Sequence, residues 1–417
     1  MTIELPISKS IANRVLIRKA LRGEDVRSFT DAAFPEDVRL MARCLSSDLV
    51  SPPKQGDLEG LPLTLDLANC GTAMRFLTAY FAQKEGADVI LDGCERMHHR
   101  PIGQEVDALR QLGADIEYLG QDGFPPLHIR GQKLSIPSTS LVLNPAPLTL
   151  NRPASTQFVS ALLLIGADVQ TDSTSPYIEM TRAVVAGREE MEPDWSAAAF
   201  WLERHALGLC PEPEFIFRTF QHGSADRPEL CGGKNSPEGV SARLCRSSVR
   251  KEPFITAAPA VSLQGDAIAP QIFARIASLK NTPLEQGWRS QSGFGFEKER
   301  LAGSQADRDN PEMVSLDCSD IPDLVPAIAV TCRLLHLDVT LTGTESLRLK
   351  ESDRLEALEE NFRRIERKQF PLLSFGDHRI AMAFMAAGLD VDDTDCIRKS
   401  YPRFVEQLRL AEPLSIA

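Results

Sequence analysis

The chain has 417 residues, 43% hydrophobic and 25% charged, with a formal net charge of -12. That length exceeds one compact core and points to two domains of ordinary globular composition. The acidic balance disfavours a nucleic-acid backbone as the main partner, since phosphate chains need clustered Lys and Arg, but it leaves room for a small anion in a local basic pocket.

The opening MTIELPISKSIANRVL has no long apolar run and does not read as a signal peptide. No stretch approaches the roughly 20 apolar residues of a membrane span. The nine cysteines are scattered mostly singly, which fits a reduced, cytoplasmic compartment. His205, Cys210, His222, Cys231 and Cys245 follow no common zinc spacing, so no metal is expected.

In chain order, one pattern recurs: a polar, often charged turn followed at once by an apolar helix. It is seen in PISKSIANRVLIRKAL, LANCGTAMRFLTAYFA, RMHHRPIGQEVDALRQLGA and NRPASTQFVSALLLIGA, and later in EPDWSAAAFWLERHA, SDIPDLVPAIAVTCRLL, KESDRLEALEENFRRIE and FGDHRIAMAFMAAGL. Short β-like runs ending in glycine lie between them: ADVILDG, PPLHIRG and LDVTLTG. The alternation predicts an α/β or α+β fold built from loosely repeated helix-plus-strand units.

The helix starts carry unusual charge. Asp353 is the expected N-cap of a helix with Leu355, Leu358, Phe362 and Ile365 on its apolar face, and Glu356 stands at the capping-box position. Lys350 and Glu351 precede that helix and Arg354 lies in its first turn, where a cation opposes the helix dipole. Asp377 caps a second helix whose first turn holds His378 and Arg379. Arg75 lies one turn after Gly71, and Ser10 and Arg14 share a face beside Lys9. For any one of these a surface salt bridge is the plain alternative. Together they point to a ligand with more than one phosphate or carboxylate, bound at helix N-termini.

These residues resemble the 3-phosphoshikimate 1-carboxyvinyltransferases, the EPSP synthase family. The motifs are SKSIANR (8–14), NCGTAMR (69–75), RPIGQEVDALRQLGA (100–114), STQFVSALLL (155–164), SPYIEMT (175–181), EPDWSAA (192–198), IPD (321–323), RLKESDRL (348–355), DHRIAM (377–382) and KSYP (399–402), in family order over nearly the whole chain. The resemblance implies transfer of the enolpyruvyl group of phosphoenolpyruvate to the 5-hydroxyl of shikimate 3-phosphate. Phosphate is released, and no metal or organic cofactor is involved. It implies that Lys9, Ser10, Arg14, Ser155, Thr156, Gln157, Thr174, Tyr177, Asp323, Ser346 and Lys350 bind shikimate 3-phosphate. Thr156 departs from the usual Ser-Ser-Gln, Thr174 stands where Ser is common, and Ser346 stands where a polar amide is common. Lys9, Gly71, Arg75, Arg100, Gln157, Arg354, Arg379 and Lys399 are implied to hold phosphoenolpyruvate. Asp323 is the implied base for the 5-hydroxyl, Glu351 the implied proton donor and acceptor at the methylene carbon, and Lys9 reaches both substrates.

The implied fold is a two-domain inside-out α/β barrel of βαβαββ units, with residues 8–194 as one domain and 1–7 plus 195–417 as the other. A monomer is expected, with small molecules as its partners and neither nucleic acid nor membrane. Departures are expected in four places. The lead before Ser8 is too short for a full strand. One unit is truncated between Tyr177 and Asp194. A loop is inserted near 224–252, and Cys70 and Phe76 add bulk near Gly71. Two rival readings remain: a family member that binds substrate without turnover, and the sister enzyme acting on UDP-N-acetylglucosamine, for which Cys94 would be the loop thiol.

Overall fold

The segment GTAMRFLTAYFAQ is apolar around its whole circumference, and a helix of that kind belongs in the interior. In the computed structural model it forms the helix Gly71–Gln83, buried from Ala73 to Ala82. The structure describes residues 1–46, 62–136, 147–217, 229–230, 262–280, 295–296, 314–337 and 339–411. They form two units: Lys9–Met191, and Met1–Ser8 with Glu192–Ala417. The sequence reading put the crossings near Ser8 and near Asp194.

In the Lys9–Met191 unit, strand Leu63–Asp66 runs parallel to Asp88–Asp92. Asp88–Asp92 is antiparallel to Leu127–Arg130, which is antiparallel to Asp115–Tyr118. Helices Gly71–Gln83 and Gly103–Gln111 fall between the strands, giving the order βαβαββ. Val89, Leu91, Leu127 and Ile129 are buried while alternate positions are not, the period-2 signature of a sheet covered on one face. A second unit starts the same way. Strand Leu148–Thr149, helix Thr156–Leu164, strand Val169–Gln170 and helix Pro176–Val185 follow in order, and the two strands pair in parallel. No strand follows among the described residues before Met191, so this unit lacks its closing pair. Helices Lys9–Leu21 and Glu36–Ser46 complete the described part.

In the other unit, Thr2–Leu5 pairs in parallel with Glu214–Phe217, which is antiparallel to Glu229–Leu230. The short lead before Ser8 is therefore a strand, contrary to expectation; four residues suffice because Ile3 and Leu5 both point into the core. Val339–Thr342 lies between Val314–Asp317 and Gly295–Phe296, all parallel. Apolar helices Trp195–Ala206, Val325–Leu334 and His378–Ala386 pack inside. The Phe404 ring sits 5.6 Å from Trp201 and 5.5 Å from Tyr401, and each such buried aromatic contributes about 1.5–3 kcal/mol. Apart from Glu229–Leu230, the expected insertion near 224–252 lies outside the described residues.

Candidate active site

In the unit holding Glu192–Ala417, two helix starts gather the charged groups. Asp353 caps Arg354–Glu366, its Oδ1 accepting from the N–H groups of Leu355 and Glu356, both at 3.1 Å. Asp377 caps His378–Ala386 through the N–H of Arg379 at 2.9 Å. The caps fix the direction of the first-turn side chains. Arg354, 2% exposed, donates from Nε and Nη2 to the two oxygens of Asp377 at 2.7 and 3.2 Å, and from Nη1 to Asp323 Oδ1 at 3.0 Å. Arg379 donates to Asp323 Oδ2 at 2.9 Å, and Lys350 Nζ stands 3.9 Å from Asp323 Oδ1.

Such charges survive burial only when paired and hydrogen-bonded. Burial alone would lower both guanidinium pKa values. Asp377 and Asp323 outweigh it at Arg354, and Asp323 does so at Arg379, so both are held above their ordinary value. Burial likewise pushes Asp377 up, and Arg354 overrides it, leaving that carboxyl below its ordinary range.

Glu351 lies between His378 Nδ1 at 2.7 Å and Lys399 Nζ at 2.9 Å. A carboxyl flanked by an imidazole and an ammonium is suited to exchanging a proton. Ligand atoms of Glu351, Asp377 and His378 lie within 4.8 Å of one another, a spacing open to a divalent cation. Both Asp377 oxygens, however, already accept from Arg354, and a Glu351 oxygen pairs with Lys399. The fixed positive charges make this an ion-pair network rather than a metal centre. His205 Nδ1 meets the backbone oxygen of Cys210 rather than its thiol.

Asp266 is an acid that the sequence did not mark. It is buried, and its Oδ2 accepts from Ser196 Oγ. Burial, then the charge of Asp323, pushes its carboxyl up to about 7. The available signal was a polar residue in each of two turns, at EPDWSAA and SLQGDAIA.

In the Lys9–Met191 unit, Lys9 Nζ pairs with Asp37 Oδ2 at 3.2 Å. Ser155 caps Thr156–Leu164, and Gln157 Nε2 donates to Thr72 Oγ1 at 2.9 Å, tying two helix starts together. Ser175 caps Pro176–Val185 and so places Tyr177 in that helix's first turn. The Arg100 guanidinium lies against Gly71, so closely that an added Cβ would overlap it. Arg100 Nη1 also donates to the Asn69 backbone oxygen at 3.3 Å.

Arg14 and Arg75, which the sequence reading put at a ligand, are buried, as are Arg354 and Arg379. Arg14 donates from Nε to Thr181 Oγ1 at 2.7 Å, from Nη1 to Ser10 O at 2.7 Å, and from Nη2 to Ser160 Oγ and Tyr177 O, both at 3.2 Å. Burial brings it down to about 10. The Phe76 ring lies 5.3 Å from the Arg14 guanidinium, so its bulk supports Arg14. Arg75 reaches back to Gly71 O at 3.2 Å and across to Pro101 O at 2.9 Å. Thr174 and Ser346 are exposed.

Thus Lys9, Ser10, Arg14, Gly71, Arg75, Arg100, Ser155, Thr156, Gln157, Thr174 and Tyr177 belong to one unit, and Asp323, Ser346, Lys350, Glu351, Arg354, Arg379 and Lys399 to the other. Asp37, Thr181, Ser196, Asp266 and His378 are the partners that sequence reasoning did not assign.

The family model described as EPSP synthase (3-phosphoshikimate 1-carboxyvinyltransferase) matches residues 1–189 and 293–408. A 3-phosphoshikimate 1-carboxyvinyltransferase of Bacteroides fragilis is 31% identical over 445 residues, covering 98% of this chain and 95% of that protein. One of Cupriavidus necator is 30% identical over 453 residues, covering 97% and 95%. Among solved structures, EPSP synthase from Acinetobacter baumannii is similar in fold, with a TM-score of 0.50 at 17% identity over 99% of this chain and 95% of that one.

Proposed function

Because the chain belongs to the EPSP synthase (3-phosphoshikimate 1-carboxyvinyltransferase) family, we propose how its own residues divide the reaction. The chain transfers the enolpyruvyl group of phosphoenolpyruvate to the 5-hydroxyl of shikimate 3-phosphate and releases phosphate. The observation that carries the assignment of roles is Glu351, held between His378 and Lys399.

In this reading Asp323 accepts the 5-hydroxyl proton while Glu351 delivers a proton to the methylene carbon of phosphoenolpyruvate. The hydroxyl oxygen bonds to the central carbon, giving a tetrahedral intermediate. Glu351 then takes a proton back from the new methyl group as the C–O bond to phosphate breaks. The cations meet the charge on the departing phosphate. Arg354, Arg379, Lys399, Lys9, Gly71, Arg100 and Gln157 hold phosphoenolpyruvate; Arg suits a planar carboxylate or a phosphate. Lys9, Ser10, Ser155, Thr156, Gln157, Thr174, Tyr177, Asp323, Ser346 and Lys350 hold shikimate 3-phosphate. Arg14 and Arg75, bonded to backbone carbonyls and hydroxyls rather than to carboxylates, position Ser10 with Tyr177 and Gly71 with Pro101 respectively.

The reading also places the protein as a monomer in the cytoplasm. Supporting a reducing compartment, Cys44, Cys70, Cys94, Cys210, Cys318, Cys332 and Cys396 are free thiols. No helix among the described residues is long and apolar enough to cross a membrane. The test is phosphate release from purified protein with shikimate 3-phosphate and phosphoenolpyruvate. Release that needs both substrates is expected; none from a folded chain would reduce it to a binding protein.

A further inference from the structure

Lys9, the first residue of the helix Lys9–Leu21, donates from Nζ to Asp37 Oδ2 at 3.2 Å. The two side chains are 13% and 8% exposed, so this is not a solvated surface pair. Asp37 stands in the first turn of the helix Glu36–Ser46, which packs against Lys9–Leu21. Val38, Met41, Ala42 and Leu45 recur at helical spacing and form the buried side of that helix. The other acid of the first turn, Glu36, is exposed and serves the helix dipole from the surface. Asp37 is buried beside the apolar face, where a carboxylate costs stability unless a cation meets it. Helix formation thus accounts for Glu36, while the burial of Asp37 is accounted for by its bond to Lys9.

Lys9 benefits from such a hold. Its ammonium ends a flexible four-carbon stem, and a side chain already ordered in its bound place loses less freedom when a ligand arrives. A bond from one of its three donors also fixes where the others point. Lys399 is held in the same way, by Glu351 at 2.9 Å. Glu351 has a part in the proposed chemistry, whereas Asp37 has none. The Asp37 charge in addition repels an anionic ligand at Lys9. Repulsion and hold act in opposite directions on affinity, so they can be told apart.

We propose that Asp37 is a positioning residue for substrate binding. Its carboxylate holds the Lys9 ammonium at the place where that group meets shikimate 3-phosphate and phosphoenolpyruvate. The inference rests on the reading that Lys9 reaches both substrates. Asp37 acts through Lys9.

The test measures calorimetric binding of shikimate 3-phosphate to the native chain, Asp37→Asn, Asp37→Ala, Lys9→Met and the Lys9→Met/Asp37→Ala pair, with urea unfolding alongside. Asp37→Asn loses the charge and keeps an oxygen for Lys9, so its Kd should be no more than about threefold above native. Asp37→Ala loses both, and its Kd should exceed that of Asp37→Asn by about tenfold or more, the worth of a hydrogen bond to a charged group. The KM for phosphoenolpyruvate should follow the same order. With Lys9 already replaced, Asp37→Ala should weaken binding no further. If Asp37→Ala does not fold, Asp37→Ser, one atom shorter than the native side chain, carries the same expectations. Equal Kd values for Asp37→Asn and Asp37→Ala overturn the proposal, whether unfolding midpoints shift (a role in the helix alone) or both variants bind more tightly (a role through charge alone). So does an Asp37→Ala loss that multiplies fully onto Lys9→Met. A Lys9→Met chain that binds like the native one removes Lys9 as a ligand, and the proposal with it. A native chain that binds shikimate 3-phosphate without turnover overturns the reaction assignment alone, because the affinity comparison still reads Asp37. A native chain that does not bind it overturns both.

Discussion

Arg354 Nη1 donates to Asp323 Oδ1 at 3.0 Å, so a proposed substrate ligand and the proposed base restrain each other. Arg379 grips the other oxygen at 2.9 Å. A carboxylate held by two guanidinium groups is a weak base. On the proposed reading, an incoming phosphoenolpyruvate anion would compete for the same donors and so free Asp323. Asp323→Asn should therefore lower kcat by about 10²–10⁴, the usual worth of a general base. The KM for phosphoenolpyruvate should stay level or fall, because a competing anion is gone. Steady-state kinetics check this, and a large rise in that KM would contradict it.

Glu351→Gln keeps a polar group between His378 and Lys399 but removes the exchangeable carboxyl proton. Turnover should fall by about 10²–10⁴ while calorimetry still shows both substrates binding. Full activity in the variant would remove Glu351 from the chemistry.

Gly71→Ala would push a methyl group into the Arg100 guanidinium. The KM for phosphoenolpyruvate should rise by about tenfold or more, a loss of at least ~1.4 kcal/mol. The KM for shikimate 3-phosphate should change little. Equal changes in both constants would show that the displacement spreads beyond Arg100.

Asp377→Asn breaks a buried pair and leaves Arg354 uncompensated, which should cost about 3–5 kcal/mol in denaturant unfolding. The pH dependence has a definite sign. Asp377 is held below its ordinary value of 3.8, burial being outweighed by Arg354. Its contribution is present above the unfolded value and is lost as pH falls through the depressed one. The variant should lose that part of the acid limb.

Asp266 has the opposite sign. Its folded carboxyl titrates at about 7 against an ordinary 3.8, chiefly through burial. Below the unfolded value both states are protonated. As pH rises from there toward 7 the unfolded state releases the proton first, and stability declines. Asp266→Asn should remove that decline in unfolding midpoints measured across the interval. A native profile as steep as the variant's would contradict it.

The local part of this architecture was legible. Capping by Asp353 and Asp377 acts over two or three residues, so the sequence carries the whole signal. The face made by Leu355, Leu358 and Phe362 is buried as its spacing required, with Ile365 half-buried. The runs ADVILDG, PPLHIRG and LDVTLTG contain the strands Asp88–Asp92, Leu127–Arg130 and Val339–Thr342. Periodicity, however, tells which face a side chain takes and not what stands opposite. The inward turn of Arg14 depends on Ser160 and Thr181, far along the chain. Asp266 meets Ser196 across 70 residues of sequence. Arg75, one turn after Gly71, read as an anion ligand because nothing in CGTAMRFL reveals the Pro101 carbonyl.

The strand Thr2–Leu5 has a temporal consequence. Its mate Glu214–Phe217 lies beyond the entire Lys9–Met191 unit, and the Glu4 carbonyl is held by Tyr401 Oη at 2.7 Å and by Gln407 Nε2 at 2.9 Å. During synthesis Thr2–Leu5 leaves the ribosome long before it can be fully secured, since its partner Gln407 lies 403 residues later. At ordinary elongation rates that wait is roughly 20–80 s. The Lys9–Met191 unit emerges in full within it, so it is free to fold while that strand still awaits its sheet.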